Sequence, residues 1–342
     1  MKIFTDLHHT DLAYSLYLLL EKRLKHQLFR PIGMEWFTEG YWKINDLEAT
    51  ARQYLEVGSK PDDGTNPLND IYNDRNEYCE VHDPHNNYLQ RAITLDVFKR
   101  TEFDVIIASV PQHVKPFQEL IEKYQPKAKL VFQMGNHFDI HGLGIKNLMA
   151  STIPFPFCGN EVFYHQEFST EVFSPSSDKP KKQIVSFINC LRQNGGMQNY
   201  YELKNLMWDY EFFSFGGQCD DGGISNTRDI SQIMRESAFG FHCKWGADGY
   251  GHILHNFFAC GTPVIVNYKD YKDKLGGKLL IPDETCIVAE IGDNMEKVAE
   301  KIHNLSPLQY EWMRQRTYDK FLETVDFEKD AEKVKKFLVR LT

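Results

Sequence analysis

The sequence holds no uninterrupted apolar stretch near the roughly 20 residues that a membrane-crossing helix needs, so no span is expected. It has no C-x-x-C pair, and its cysteines, at 79, 158, 190, 219, 243, 260 and 286, are scattered and odd in number. That pattern speaks against a disulfide framework and a zinc site, and predicts mostly buried, reduced thiols in a cytoplasmic protein. An excess of positive charge is also missing. The net charge of −9 argues against a broad nucleic-acid footprint, although a local basic groove is compatible with it. There is no low-complexity tract, no short-period repeat and no Asp-x-Asp motif. The opening residues, MKIFTDLHHTDLAY, lack an apolar run after their lysine, so no export signal is expected.

What is present is a chain of 342 residues, more than one core usually organises, so two domains are expected. Strand-like runs alternate with helical patterns, as in a parallel α/β sheet. The first series is KIFT (2–5), QLFRPI (27–32), FDVIIASV (103–110) and KLVFQM (129–134), with helices predicted near 11–26, 88–100 and 114–124. VIIASV is apolar nearly throughout, as a strand covered on both faces should be. Residues 59–87 break the pattern with a long, polar, turn-rich stretch. Either an acceptor-side insertion or a tolerated surface excursion fits it.

A boundary is read near 150–182, where IPFPFCGN and FSPSSDKPKK are rich in proline and serine. Alternation then restarts with QIVSFIN (183–189), EFFSFGG (211–217), AFGFHCK (238–244), PVIVN (263–267) and CIVAEI (286–291). Helices are predicted at 197–209, 227–236, 251–260 and 293–304, and two longer ones close the chain at 307–323 and 326–341. The expected organisation is an N-terminal Rossmann-like acceptor-side domain (1–150), a linker (151–182), a C-terminal Rossmann-like domain (183–306) and C-terminal helices (307–342) packing back toward the first domain. Two doubly wound domains would face each other across a cleft, with ligands beyond the carboxyl ends of the strands.

The segment KWGADGYGHILHNFFACGTPVIVN (244–267) sits at such an end. Gly246, Gly249 and Gly251 allow a ligand to approach the backbone, and the helix that follows offers free N–H groups to an anion. Gly261 suits the helix stop. Taken alone, these glycines require only a tight strand-to-helix turn. CDDGG (219–223) reads as loop chemistry.

In the first domain His8, His9, Thr10 and Asp11 follow the first strand. Thr10 or Asp11 can cap a helix, and a histidine there could bind a ligand or act as a base. Gln133, Asn136 and His137, with Gln112 and His113, place polar groups at two further strand ends. Trp36, Tyr41 and Trp42 lie in an aromatic loop suited to sugar stacking, although core packing is the commoner use. No third ligand accompanies His8 and His9, so no metal site is expected. The segment YSLYLLLEKRLKHQL, part of the 11–26 helix, is apolar on one part and basic on another. It could touch an anionic bilayer, but packing on a sheet is the commoner role.

The block Asp248-Gly249-Tyr250-Gly251, four residues, Asn256, then ACGTPVIV (259–266) resembles the donor-site signature of large retaining glycosyltransferases with the two-Rossmann B-type fold. In that family both polar positions are glutamate, so Asp248 and Asn256 depart from it. The family's glycine-rich loop after the first strand is also replaced here. The resemblance implies that Asp248 contacts donor-sugar hydroxyls and Asn256 the ribose. It implies donor binding by Gly249, Tyr250, Gly251, Lys244 and Arg192, with Asp248 and Arg192 catalytic; His9, read from its place after the first strand, completes the expected catalytic set. His8, His9, Asp11, Gln133, Asn136 and His137 would serve the acceptor side. The implied activity is sugar transfer from a nucleotide diphosphate to an acceptor hydroxyl with retention. The nucleotide-sugar is then a co-substrate, with no further cofactor and no metal. The alternatives are a transferase acting on hydroxymethylated DNA bases, disfavoured by the acidic balance, and a non-catalytic nucleotide- or sugar-binding protein. No residues favour a nucleotide-sugar epimerase of the same fold.

Overall fold

The computed structural model describes residues 1–6, 10–31, 78–93, 95–136, 139–152, 157, 159–194, 196–224, 226–246 and 248–341. The chain divides into two units. The first comprises Met1–Ala150, Pro156–Glu167 and Phe327–Thr342, and the second Ser151–Phe155 and Phe168–Asp326.

The first unit carries β1 (Lys2–Thr5), β2 (Gln27–Pro31), β3 (Cys79–Asp83), β4 (Tyr88–Ile93), β5 (Val105–Ala108), β6 (Lys129–Met134), β7 (Asn147–Ala150) and β8 (Asn160–Phe163). They form one sheet in the order β3-β4-β2-β1-β5-β6-β7-β8. The β3–β4 pair is antiparallel and the other recorded pairs are parallel. Val105, Ile106, Ile107 and Ala108 are all fully buried, which is why VIIA reads as continuously apolar. The helices are α1 (Thr10–Leu16), continued by the π-helical residues Tyr17–Arg23, then α2 (Leu95–Arg100) and α3 (Pro111–Tyr124). Leu12, Leu16, Leu19 and Leu20 pack in one core with Ile3, Val105 and Val131, and with Val334, Phe337 and Leu338 of the C-terminal helix Phe327–Val339. The apolar face of the 11–26 segment is thus buried in this core and is not available to a bilayer.

Residues 88–100, expected as one helix, are instead β4 followed by α2. The cause is turn chemistry. Asp83 Oδ1 accepts from the backbone N–H of His85 at 2.9 Å, and Asn87 sits in the left-handed region at φ 53°. That turn folds β3 back on β4, so part of the stretch expected as a polar excursion is sheet. The segment expected as a linker contains β8, which extends the sheet beside β7.

The second unit holds β9 (Lys181–Ser186), β10 (Glu211–Ser214), β11 (Ser237–His242), β12 (Val264–Val266) and β13 (Cys286–Val288) in the order β10-β9-β11-β12-β13, all parallel. Its helices are α4 (Met197–Leu206), α5 (Thr227–Glu236), α6 (His252–Ala259), α7 (Tyr268–Tyr271), α8 (Met295–His303) and α9 (Pro307–Thr324). Asn226, Asn294 and Ser306 cap α5, α8 and α9 through their side chains, and Ser306 closes a capping box with Gln309. Strand order reverses between β9 and β11. Their carboxyl ends therefore flank the switch point of this sheet, where open α/β folds bind ligands. Among the described residues no helix is long and apolar enough to cross a membrane.

Candidate functional site

The turn from β11 to α6 is held from both neighbouring strands. Gly246 and Gly251 adopt φ of 85° and 71°, which other residues enter only at a cost. A side chain at Gly251 would also press on the Tyr271 ring, with Cβ 3.0 Å from it. On the β9 side, the Trp245 N–H donates to the Asn194 carbonyl at 3.1 Å. On the β12 side, the Gly246 N–H donates to Asp270 Oδ1 at 3.2 Å. The Lys274 ammonium, itself buried, donates to Asp270 Oδ2 at 2.8 Å, to the Gly246 carbonyl at 3.5 Å and to the Asp248 carbonyl. It also lies 4.8 Å over the Tyr271 ring. A lysine with these partners fixes the turn before any ligand arrives.

Asp248 is the centre of the cluster. Its Oδ2 accepts from the Tyr271 hydroxyl at 2.5 Å and lies 3.4 Å from His242 Nε2 and 3.6 Å from Lys244 Nζ. His242 Nε2 is also 2.8 Å from the Tyr271 oxygen. The proton placement follows from these contacts. Tyr271 donates to Asp248, so its oxygen accepts from His242 Nε2–H. His242 Nδ1 is buried without a partner among the described residues. A proton there would leave a buried donor unsatisfied, at a cost of about 1–3 kcal/mol. Burial raises the Asp248 pKa, but the His242 hydrogen bond, the Lys244 charge and the Tyr271 hydroxyl outweigh it and hold the acid well below the usual range. Burial, with the Asp248 charge next, pushes the Tyr271 phenol well above its ordinary value, so it remains a donor. All three groups address Oδ2, and Oδ1 has no partner among the described residues.

Asn256 lies on the first turns of α6 and is buried, with Oδ1 unpaired among the described residues. Gly249 and Tyr250 are buried, and the Tyr250 ring stacks on His255 at 4.0 Å. Arg192, on the turn after β9, is largely exposed and its Nη2 lies 3.5 Å from Asp220 Oδ1. Asp220 also accepts from the Tyr201 hydroxyl at 2.5 Å, while Asp221 accepts from the Ser214 N–H at 2.7 Å. CDDGG is therefore turn chemistry at the surface, within reach of Arg192. The β9 and β11 ends meet closely: a Cβ at Gly196 would lie 2.0 Å from the Cys243 carbonyl oxygen. Gly196→Ala must part these two backbones. It is expected to cost about 3 kcal/mol, read as a lower melting temperature. An unchanged melt would show that this contact does not set the spacing.

In the first unit, Asp11 pairs with His85 Nε2 at 3.3 Å. Gln133 is fully buried and donates to the Tyr164 hydroxyl at 2.9 Å, so it is a core group rather than a surface one. Asn136 is exposed. His8, His9 and His137, like Trp36, Tyr41 and Trp42, lie outside the described residues. The structure adds a buried cluster at the β1 and β5 ends. Asp6 accepts from the Ser109 N–H at 2.7 Å, from the Ser109 hydroxyl, and meets His113 Nδ1 at 2.6 Å. Sequence reasoning named His113 but missed Asp6, and in the second unit it missed His242, Tyr271 and Lys274.

No family model matches the sequence, and no curated protein is significantly similar to it. Solved structures do share its fold over the whole chain. Sucrose-phosphate synthase from Thermosynechococcus elongatus superposes with a TM-score of 0.62 at 11% identity, over 100% of this chain and 99% of that one. HepE from Anabaena, in complex with UDP-glucose, gives 0.65 at 11% identity, over 99% and 100%. An alpha-glucosyltransferase in complex with UDP and a 13-mer DNA gives 0.63 at 11% identity, over 99% and 100%. The chain therefore has the two-Rossmann glycosyltransferase B-type fold that its sequence led us to expect.

Proposed function

We propose that the protein is a glycosyltransferase that moves a sugar from a nucleotide diphosphate to an acceptor hydroxyl, with retention at the anomeric carbon. The observation that carries the reading is Asp248: a carboxylate fixed through one oxygen by Tyr271, His242 and Lys244, on the turn beside the switch point. Its other oxygen is the acceptor for donor-sugar hydroxyls. Arg192 and Lys244 meet the diphosphate and stabilise the charge that grows on it. The Oδ1 of Asn256, unpaired among the described residues, suits a ribose hydroxyl as donor. The acceptor oxygen attacks the anomeric carbon from the face the phosphate leaves. A bond from that oxygen to carbon forms, the bond from carbon to phosphate oxygen breaks, and the acceptor proton passes to the departing phosphate. The fold is shared with a protein solved with UDP-glucose, which makes UDP-sugars the first donors to try.

Nucleotide release from UDP-, GDP- and ADP-sugars tests the reading. One donor is expected to stand out, and Arg192→Ala to lose the signal. This reading gives the leaving-group charge to side chains, so EDTA is expected to leave the rate unchanged. A rate abolished by EDTA and restored by a divalent cation would overturn that part. A DNA acceptor is the second reading, since one protein of this fold was solved with DNA. The net charge of −9 opposes it, and a duplex mobility shift with its salt dependence separates the two.

A further inference from the structure

We infer that Trp245 is a specificity residue of the donor site, its indole forming the platform for the ring of the transferred sugar. This rests on the donor-site reading above.

Three indoles are strongly exposed among the described residues: Trp208, Trp245 and Trp312. Trp208 follows the carboxyl end of α4 and Trp312 lies on α9, so neither is on a turn at a strand's carboxyl end. Trp245 is on the β11 turn, at the switch point of the sheet, and 64% of its surface is open. Its exposure does not come from a loose turn. The backbone N–H of Trp245 is bonded to Asn194, and Gly246 is held by Asp270 and Lys274. An apolar ring is thus presented to solvent on anchored backbone.

The neighbours say which ligand fits. The turn after β9, which carries Arg192, is bonded to the backbone of Trp245 through the Asn194 carbonyl, and Asp248 follows three residues along the chain. A diphosphate on Arg192 and a sugar on Asp248 place the indole beside the sugar end of the donor. A pyranose is amphipathic, with C–H groups on its faces and hydroxyls at its edge. An aromatic face and a carboxylate three residues apart match those two surfaces. No such match exists for the diphosphate, which an indole face would repel.

Calorimetric titration tests the assignment, using the pairs UDP and UDP-glucose, GDP and GDP-mannose, and ADP and ADP-glucose against the wild type, Trp245→Ala and Trp245→Phe. For the pair the wild type binds, Trp245→Ala is expected to lose about tenfold in affinity for the sugar nucleotide. Its affinity for the free nucleoside diphosphate stays the same, and Trp245→Phe recovers most of the loss. Melting temperatures should agree, since the indole is exposed. Equal sugar-nucleotide affinity in all three chains overturns the proposal. So does a Trp245→Ala chain that loses both ligands alike, because the indole then serves the nucleotide or the turn. A wild type that binds no member of any pair contradicts the donor-site reading itself.

Discussion

Asp248→Asn is expected to lower sugar-nucleotide turnover about a hundredfold to a thousandfold, the scale seen when one preorganised electrostatic contact is removed. The substitution keeps the shape, and the new amide oxygen still accepts from Tyr271, so the fold should persist. What disappears is the charge that Lys244 faces at 3.6 Å and that the sugar hydroxyls would meet. The same carboxylate gives a pH signature. Its folded pKa is depressed below the ordinary value near 3.9. Its contribution to stability is therefore fully present above about pH 4 and fades as the pH falls from there toward the folded value. The stability gap between the wild type and Asp248→Asn should narrow over that acid range. A gap that stays constant down to pH 2 would show that the carboxylate is not held as described.

Lys274→Met is the second large effect. The ammonium is buried and serves Asp270 and the carbonyls of Gly246 and Asp248. Replacing it with an apolar chain of similar length removes the ammonium that both carbonyls accept from and leaves Asp270 without its counter-charge. Breaking a buried pair in this way costs about 3–5 kcal/mol. Asp270 keeps some exposure, which places the expectation at the lower end, about 3 kcal/mol. Chemical denaturation measures it. Turnover should fall as well, because the backbone of Asp248 is released, and the loss should appear even far below the melting temperature. Wild-type stability in this variant would mean that the turn holds itself.

Much of the fold was legible in the sequence because parallel strands covered on both faces are continuously apolar. VIIA, QIVS and SAFGFH needed no partner information to be recognised. The β3–β4 hairpin was not legible by the same route. YLQRAI mixes exposed and buried positions, and its pairing depends on the Asp83–Asn87 turn, whose polar residues look like loop. β7 and β8 lie near prolines and glycines that read as linker.

The site divides in the same way. Gly246, Asp248, Gly251 and Asn256 are contiguous and carry their own spacing. His242, at the end of β11 itself, and Tyr271 and Lys274, after the neighbouring β12, act on Asp248 or its turn at separations of 6, 23 and 26 residues. His242 reads as one residue of an apolar strand, and Tyr271 and Lys274 lie in the charged stretch YKDYKDK, to which the sequence assigned no element. Only the parallel register of β11 and β12 brings them together. Gln133 shows what strand position alone does not give: a polar residue late in a strand, which packing turned inward to Tyr164.

The most direct measurement is the binding of UDP-, GDP- and ADP-sugars to the wild type and to Asp248→Asn by calorimetry. A donor site at Asp248 predicts that one sugar nucleotide binds the wild type and binds the variant more weakly, while the matching free nucleotide distinguishes the two far less. A sugar nucleotide that binds both chains equally, or none that binds either, would contradict it.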